Sequence, residues 1–208
     1  MVQINNNATN TGKIIYKRNS APMKNFDYTY WSSPVVGQTL FNLSPNTLAD
    51  KYMSYSGTGW QVLIGGNVVM QPGIGYIIRT PKAGTWPAPH PEVVAFPYSQ
   101  PVQFKGVPNN GNITSSQSLV TGNFYLIGNP YPSALDADEF LFTNTNNHNV
   151  LNGTIYLWTH NTAVANLKYT SDDYASYNGL GGVATSGGAV PSGYIAAGQS
   201  FFASAKAN

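Results

Sequence analysis

The breaks in this chain constrain its fold more than any other feature. Ser33-Pro34, Gly65-Gly66, Pro72-Gly73, the run Pro108-Asn109-Asn110-Gly111 and Asn129-Pro130 punctuate it at short intervals. Between the breaks lie short runs of Tyr, Val, Ile, Phe and Thr: KIIYKR, YTYW, WQVLI, GYIIRT, FYLIG, TIYLWT and SFFASA. β-Branched and aromatic runs bounded by Gly and Pro are the signature of strands, and no segment sustains apolar spacing at helical period for three turns. The expectation is an all-β chain, an antiparallel, jelly-roll-like β-sandwich with one or two short helices. One helix is expected after Ser44, with Pro45 at its first position, where the missing N–H costs nothing. The other is expected after Ser133.

The order of the runs repeats. YTYWSSPV (Tyr28 to Val35) resembles FYLIGNPY (Phe124 to Tyr131). Each is followed by a helical segment, a tryptophan strand (GTGWQVLI, GTIYLWTH) and a Gly-led apolar strand (PGIGYIIRT, AAGQSFFASA). These are two diverged pseudo-repeats, about 26–100 and 101–208, within a sandwich domain spanning 21–208. Neither offers enough apolar strands to stand alone. Residues 1–20, with the Asn-rich turn at Asn5 to Asn7, read as the end of an upstream β-rich repeat. An insertion of about 161–192 in the second repeat has the glycines and small polar residues of an exposed loop.

Composition narrows the function. Charged residues are 9% of the 208 residues, against about 25% in an average soluble domain. The net charge of +2 comes from scattered basic residues, so nothing tracks a phosphate backbone and nucleic acid is not an expected partner. The absence of cysteine removes disulfides, thiol nucleophiles and Cys-ligated zinc. No apolar run reaches the ~20 residues that cross a bilayer, and the N-terminus has no signal-peptide core.

Asp136, Asp138 and Glu139 are three of only eight acids, packed within four positions. Ser133 and Asp136 fit the capping pattern Ser-x-x-acid, and the other two acids would sit near a helix N-terminus, where the dipole favours negative charge. The cluster therefore reads as structural. The remaining acids, Asp27, Asp50, Glu92, Asp172 and Asp173, form no opposed catalytic pair. No G-x-S-x-G elbow occurs, and His90, His148 and His160 stand apart in the chain. An enzyme is not expected.

Several strings resemble a module of large exported proteins of Bacteroidota, particularly flavobacteria: DYTYWSSPVVGQTL, PGIGYIIRTP, GVPNNGNIT, LIGNPYPSALDADEFL, DDYASYNGLGG and PSGYIAAGQSFF. In such proteins the module lies near the C-terminus, often ahead of the sorting domain of type IX secretion. The resemblance implies an extracellular or cell-surface location and a segment of a longer chain. It brings no catalytic residues.

Two kinds of binding group remain. Trp31, Trp60 and Trp158 lie on strand runs and are expected in the core. Trp86 lies in a Gly/Pro-rich loop, and Tyr174, Tyr177 and Asn178 lie in the insertion beside Asp172 and Asp173. Loop rings stack on sugar faces while Asp and Asn side chains bond hydroxyls. Adjacent Asp172 and Asp173 are also candidate calcium ligands, although the spacing is not that of an EF-hand. No cofactor is required, calcium being the one candidate. The expected function is a non-catalytic extracellular module, adhesive or structural, monomeric within its longer chain and not inserted in a membrane. The alternative is a carbohydrate-binding module attached to a secreted polysaccharide-degrading enzyme, with a polysaccharide or cell-surface glycan as partner.

Overall fold

The computed structural model describes residues 9–166 and 168–206; the Asn-rich turn at Asn5 to Asn7 lies outside them. The first half runs β1 (Ile14–Asn19), β2 (Tyr28–Trp31), α1 (Leu40–Leu43), β3 (Tyr52–Tyr55), β4 (Trp60–Val62), β5 (Tyr76–Arg79), β6 (Gly84–Trp86), β7 (Glu92–Val94) and β8 (Pro101–Gly106). The second runs β9 (Phe124–Gly128), β10 (Leu135–Asp136), α2 (Thr145–Val150), β11 (Leu151–Trp158), β12 (Tyr174–Asn178), β13 (Gly181–Val183), β14 (Tyr194–Ile195) and β15 (Ser200–Ala205). The protein is all-β, with antiparallel sheets and short helical turns.

Each half builds its own main sheet. The first is four-stranded, in the order β2-β5-β3-β4, and the second five-stranded, in the order β13-β12-β11-β15-β9. Apart from β13, the order is the same: the first strand pairs with the last, then the middle hairpin follows. The registers correspond too. Trp31 opposite Tyr76 matches Ile127 opposite Phe201, and Met53 opposite Ile77 matches Tyr156 opposite Phe202. Tyr55 opposite Trp60 matches Trp158 opposite Tyr174. YTYW and FYLIG thus hold equivalent positions, but the tryptophan strands do not. β11 corresponds to β3, and β4 to β12, because the hairpin turn of the second half lies after Trp158 rather than before it.

The halves also grip one another in a pseudo-twofold way. Leaving β2, Ser32 N donates to Gly198 O at 2.9 Å; leaving β9, Gly128 N donates to Gly73 O at 3.1 Å. Gly198 and Gly73 occupy the same place before the last strand of each half. Both have positive φ, 70° and 77°, which a side chain would strain.

Alternation along the strands gives each sheet two apolar faces. The inner faces meet in a shared layer around Tyr28, Tyr30, Ile77, Leu126 and Phe202. The outer face of the first sheet, with Trp31, Tyr52, Tyr76 and Ile78, is covered by α1 and by Val102 and Phe104 of the β1–β8 ribbon. The outer face of the second, with Ile155, Phe201 and Ala203, is covered by Leu141 and Ile195. β1 pairs with β8 over its full length and Tyr16 packs on the first core, so this part of residues 1–20 is laid against the sandwich.

Both helix expectations are corrected at their ends. α1 precedes Pro45: Thr39 caps it by accepting from Asn42 N at 3.1 Å. Ser44 ends it and is buried, its hydroxyl accepting from Gln100 Nε2 at 2.6 Å. Ser133 likewise caps nothing. Strand β10 begins two residues on, at Leu135, and Asp136 itself accepts from Asp138 N and Glu139 N, at 2.9 and 3.1 Å, ahead of a π turn over Glu139–Thr143. Asp138 accepts from the Tyr177 hydroxyl at 3.1 Å. The capping role thus falls to Asp136, three residues after Ser133.

Candidate functional site: an aromatic cleft between the sheets

The layer between the sheets is built mostly of rings. Tyr30 is at its centre, stacked parallel to Trp158 at 5.8 Å and meeting Trp60, Tyr174 and Phe202 edge-on. Tyr55 and Trp60 meet Phe202 edge-on at 5.1 and 5.9 Å. Edge-to-face pairs of this kind each contribute about 1 kcal/mol beyond their buried area, so the layer is stiff as well as apolar.

At the β3–β4 end the layer opens. A cleft of about 500 Å³ lies there, lined by Tyr55, Trp60, Phe124, Tyr156, Tyr174 and Phe202, with Ser171 and Ser176. That volume is within the range of small-ligand sites. The local sequence explains the opening. Ser56 to Gly59 closes the β3–β4 hairpin, Ser56 N donating to Gly59 O at 3.0 Å, which sets Tyr55 and Trp60 side by side on one face. β4 is an edge strand, so the far side of Trp60 meets no further strand among the described residues, and the residue is 39% exposed. Phe124, at the start of edge strand β9, is 43% exposed. The expectation that Trp60 is a core residue is corrected for this reason.

The lining contains no Asp, Glu, Lys, Arg or His. Tyr174 and Tyr30 share a hydroxyl–hydroxyl hydrogen bond. Burial pushes the Tyr174 phenol up to about 12, and burial together with Tyr174 holds Tyr30 well above the ordinary tyrosine value. Both stay neutral at physiological pH. Trp60 Nε1, the hydroxyls of Tyr55 and Tyr156, and those of Ser171 and Ser176 make no hydrogen bond to another described residue.

The residues singled out in the sequence are dispersed. Tyr174, Tyr177 and Asn178 are on strand β12, paired with β11, rather than in a loop, because an apolar-alternating run beside an open sheet edge is captured by it. Tyr174 faces the cleft. Tyr177 turns to the outer core, and Asn178 Oδ1 accepts from Leu180 N at 2.9 Å beside a shallower cleft with Phe142 and Leu180. Asp172 is exposed in a 3-10 turn next to Ser171. Asp173 is buried, and its carboxylate accepts from Thr162 N at 2.7 Å, so it anchors the insertion. Among the described residues no three His, Asp or Glu side chains gather to hold a metal. Trp86 is on strand β6, donates from Nε1 to Lys82 O at 3.1 Å and packs beside Met23, Val94 and Tyr98, so it too has a strand and a core.

Sequence reasoning missed Tyr55, Trp60, Phe124, Tyr156 and Phe202 as site residues. The signal was present in YSGTGW, where a four-residue turn flanked by two aromatics places both rings on one face. It also missed the buried Asp27 hub, whose carboxylate accepts from Trp158 Nε1 at 3.0 Å and from Tyr28 N at 2.8 Å, and pairs with His160 Nδ1 at 2.8 Å. Lys24 Nζ adds bonds to the carbonyls of His160 and Asn161.

The fold and site define an all-β sandwich with an uncharged aromatic cleft between its sheets. The chain belongs to the family described as a domain of unknown function, DUF8693, which it matches over residues 1–208. No curated protein and no solved structure matches it. Among the described residues no helix is long and apolar enough to cross a membrane.

Proposed function

We propose that this domain is a non-catalytic extracellular module of a large exported surface protein, adhesive in role, and that the cleft at Trp60 is where it holds its ligand. The observation that carries this reading is the half-exposed ring pair of Trp60 and Phe124 over a lining that folding has left open. Stiff aromatic sites with few polar groups bind, whereas a serine nucleophile needs a base beside it, and the lining holds no Asp, Glu, His or Lys to activate Ser171 or Ser176. The same rings favour a second reading of the module, as a carbohydrate-binding appendage of a secreted polysaccharide-degrading enzyme. Both place it outside the cell, as the resemblance to exported Bacteroidota modules implies.

Retention of the isolated domain on intact bacterial and algal cell surfaces tests the adhesive reading. The parent should be retained and Trp60→Ala released, with no sugar liberated from the surface by either. Equal retention of the two proteins would refute the cleft as the contact. Calcium is the one cofactor candidate, through Asp172 and Asp173. Those carboxylates are outside the cleft lining, so EDTA should leave retention unchanged; release by EDTA would place a calcium site in the contact.

A further inference from the structure

We infer that the cleft takes an uncharged saccharide; the inference rests on reading the cleft as the binding site and names the ligand class. A pyranose ring presents an apolar C–H face and a rim of hydroxyls. The lining offers the complement of both: the aromatic rings of Trp60, Phe124 and Tyr156, together with the hydroxyls of Ser171 and Ser176. A purely aliphatic ligand would strip water from those hydroxyls and from Trp60 Nε1 without replacing their hydrogen bonds, which is costly. A saccharide replaces them.

Charge excludes the acidic sugars. No cation lines the cleft, and the charged residues adjoining the lining in sequence are both acids: Asp172, exposed next to Ser171, and Asp173, buried next to Tyr174. An anionic glycan would find no counter-charge in the lining. A neutral ligand needs none. Its binding should also be indifferent to salt, since screening acts only between charges.

The experiment is calorimetric titration of the intact domain with neutral hexasaccharides (cello-, manno-, xylo- and malto-oligomers) and with hexagalacturonate, each at 50 and 500 mM NaCl. Tryptophan fluorescence is read alongside. At least one neutral oligomer should bind with the same affinity at both salt concentrations. Trp60→Ala should weaken that binding by about tenfold, the loss of one stacked ring, and Trp60→Phe should restore most of it. Near-ultraviolet circular dichroism checks that both variants fold. Binding of hexagalacturonate alone, or affinity that falls with salt, overturns the ligand class while leaving the site intact. Neutral binding unaffected by Trp60→Ala overturns the site. Binding of no oligomer, with cell-surface retention still lost in Trp60→Ala, overturns the saccharide inference and leaves the adhesive reading standing.

Discussion

Replacing Asp27 tests how the two halves are locked together. Its carboxylate is 1% exposed and satisfies three groups: Tyr28 N and Trp158 Nε1 on one oxygen, at 2.8 and 3.0 Å, and His160 Nδ1 on the other, at 2.8 Å. Two of the three belong to the second half. Asp27→Ala leaves all three without an acceptor in a buried place, at about 1–3 kcal/mol each. Water entering the vacated space recovers part of that, so a net loss of about 4 kcal/mol is expected. Against a domain stability of 5–15 kcal/mol, the loss is large. Asp27→Asn keeps an oxygen for Tyr28 N and Trp158 Nε1 and alters only the His160 contact, which should cost about 1 kcal/mol. Urea unfolding followed by tryptophan fluorescence reads both, and an unchanged slope shows that the unfolding transition is the same one. A loss below about 1 kcal/mol in the alanine variant, or equal losses in the two variants, would refute the hub.

Asp136→Ala should cost about 1 kcal/mol in the same assay as a lost cap, and Ser133→Ala close to nothing; the opposite ranking would return the capping role to Ser133. Burial pushes the phenols of Tyr52 and Tyr174 up to about 12. An acid raised in the folded state gives stability that is whole below its unfolded value near 10 and is lost as pH climbs through the folded one, so each phenol should withdraw about 3 kcal/mol between pH 10 and 12. Urea midpoints measured up to pH 12 that stay flat would contradict this. Gly75→Ala should cost about 1–3 kcal/mol, because a Cβ there would lie 2.4 Å from Leu126 Cγ; a melting temperature like the parent's would show that the layer yields. Tyr169→Ala should raise acrylamide quenching of tryptophan by uncovering Trp158, against which the Tyr169 ring sits at 6.2 Å, and unchanged quenching would show that Tyr169 is no cover.

Strands, turns and the repeated order were legible because they depend on local patterns: aromatic runs between Gly and Pro. The caps were misplaced because Ser44 and Ser133 satisfy the same local rule as Thr39 and Asp136, and only tertiary packing chooses among them. Trp86, Tyr174 and Tyr177 were read as loop residues since three- to five-residue strands next to Gly-rich segments carry little periodicity. The cleft was illegible for a different reason. Whether Trp60 is core or rim depends on β4 being a sheet edge, which is a property of strand order and not of the residues around it. The Asp27–His160 pair spans 133 positions, beyond any local signal.

The repeated strand order also bears on the end of the aromatic layer opposite the cleft. By register, Tyr28 stands where Phe124 stands, Trp158 where Tyr55 stands, and Met53 where Tyr156 stands. A twin cleft should therefore exist at the opposite end of the layer. It is filled instead. The insertion brings Tyr169 edge-on to Tyr28 at 5.7 Å and fastens it by a 2.8 Å hydrogen bond from its hydroxyl to Phe26 O. Tyr28 is buried as a result, while its counterpart Phe124 stays open. The segment that supplies Tyr169 lies between β11 and β12 and is anchored through Asp173 and by Lys24 from the first half. Closing one end costs the symmetry but removes an exposed aromatic patch of the kind that drives association. The rim of the open cleft, Trp60 and Phe124, is drawn from both halves, so the cleft exists only when the two sheets are packed together.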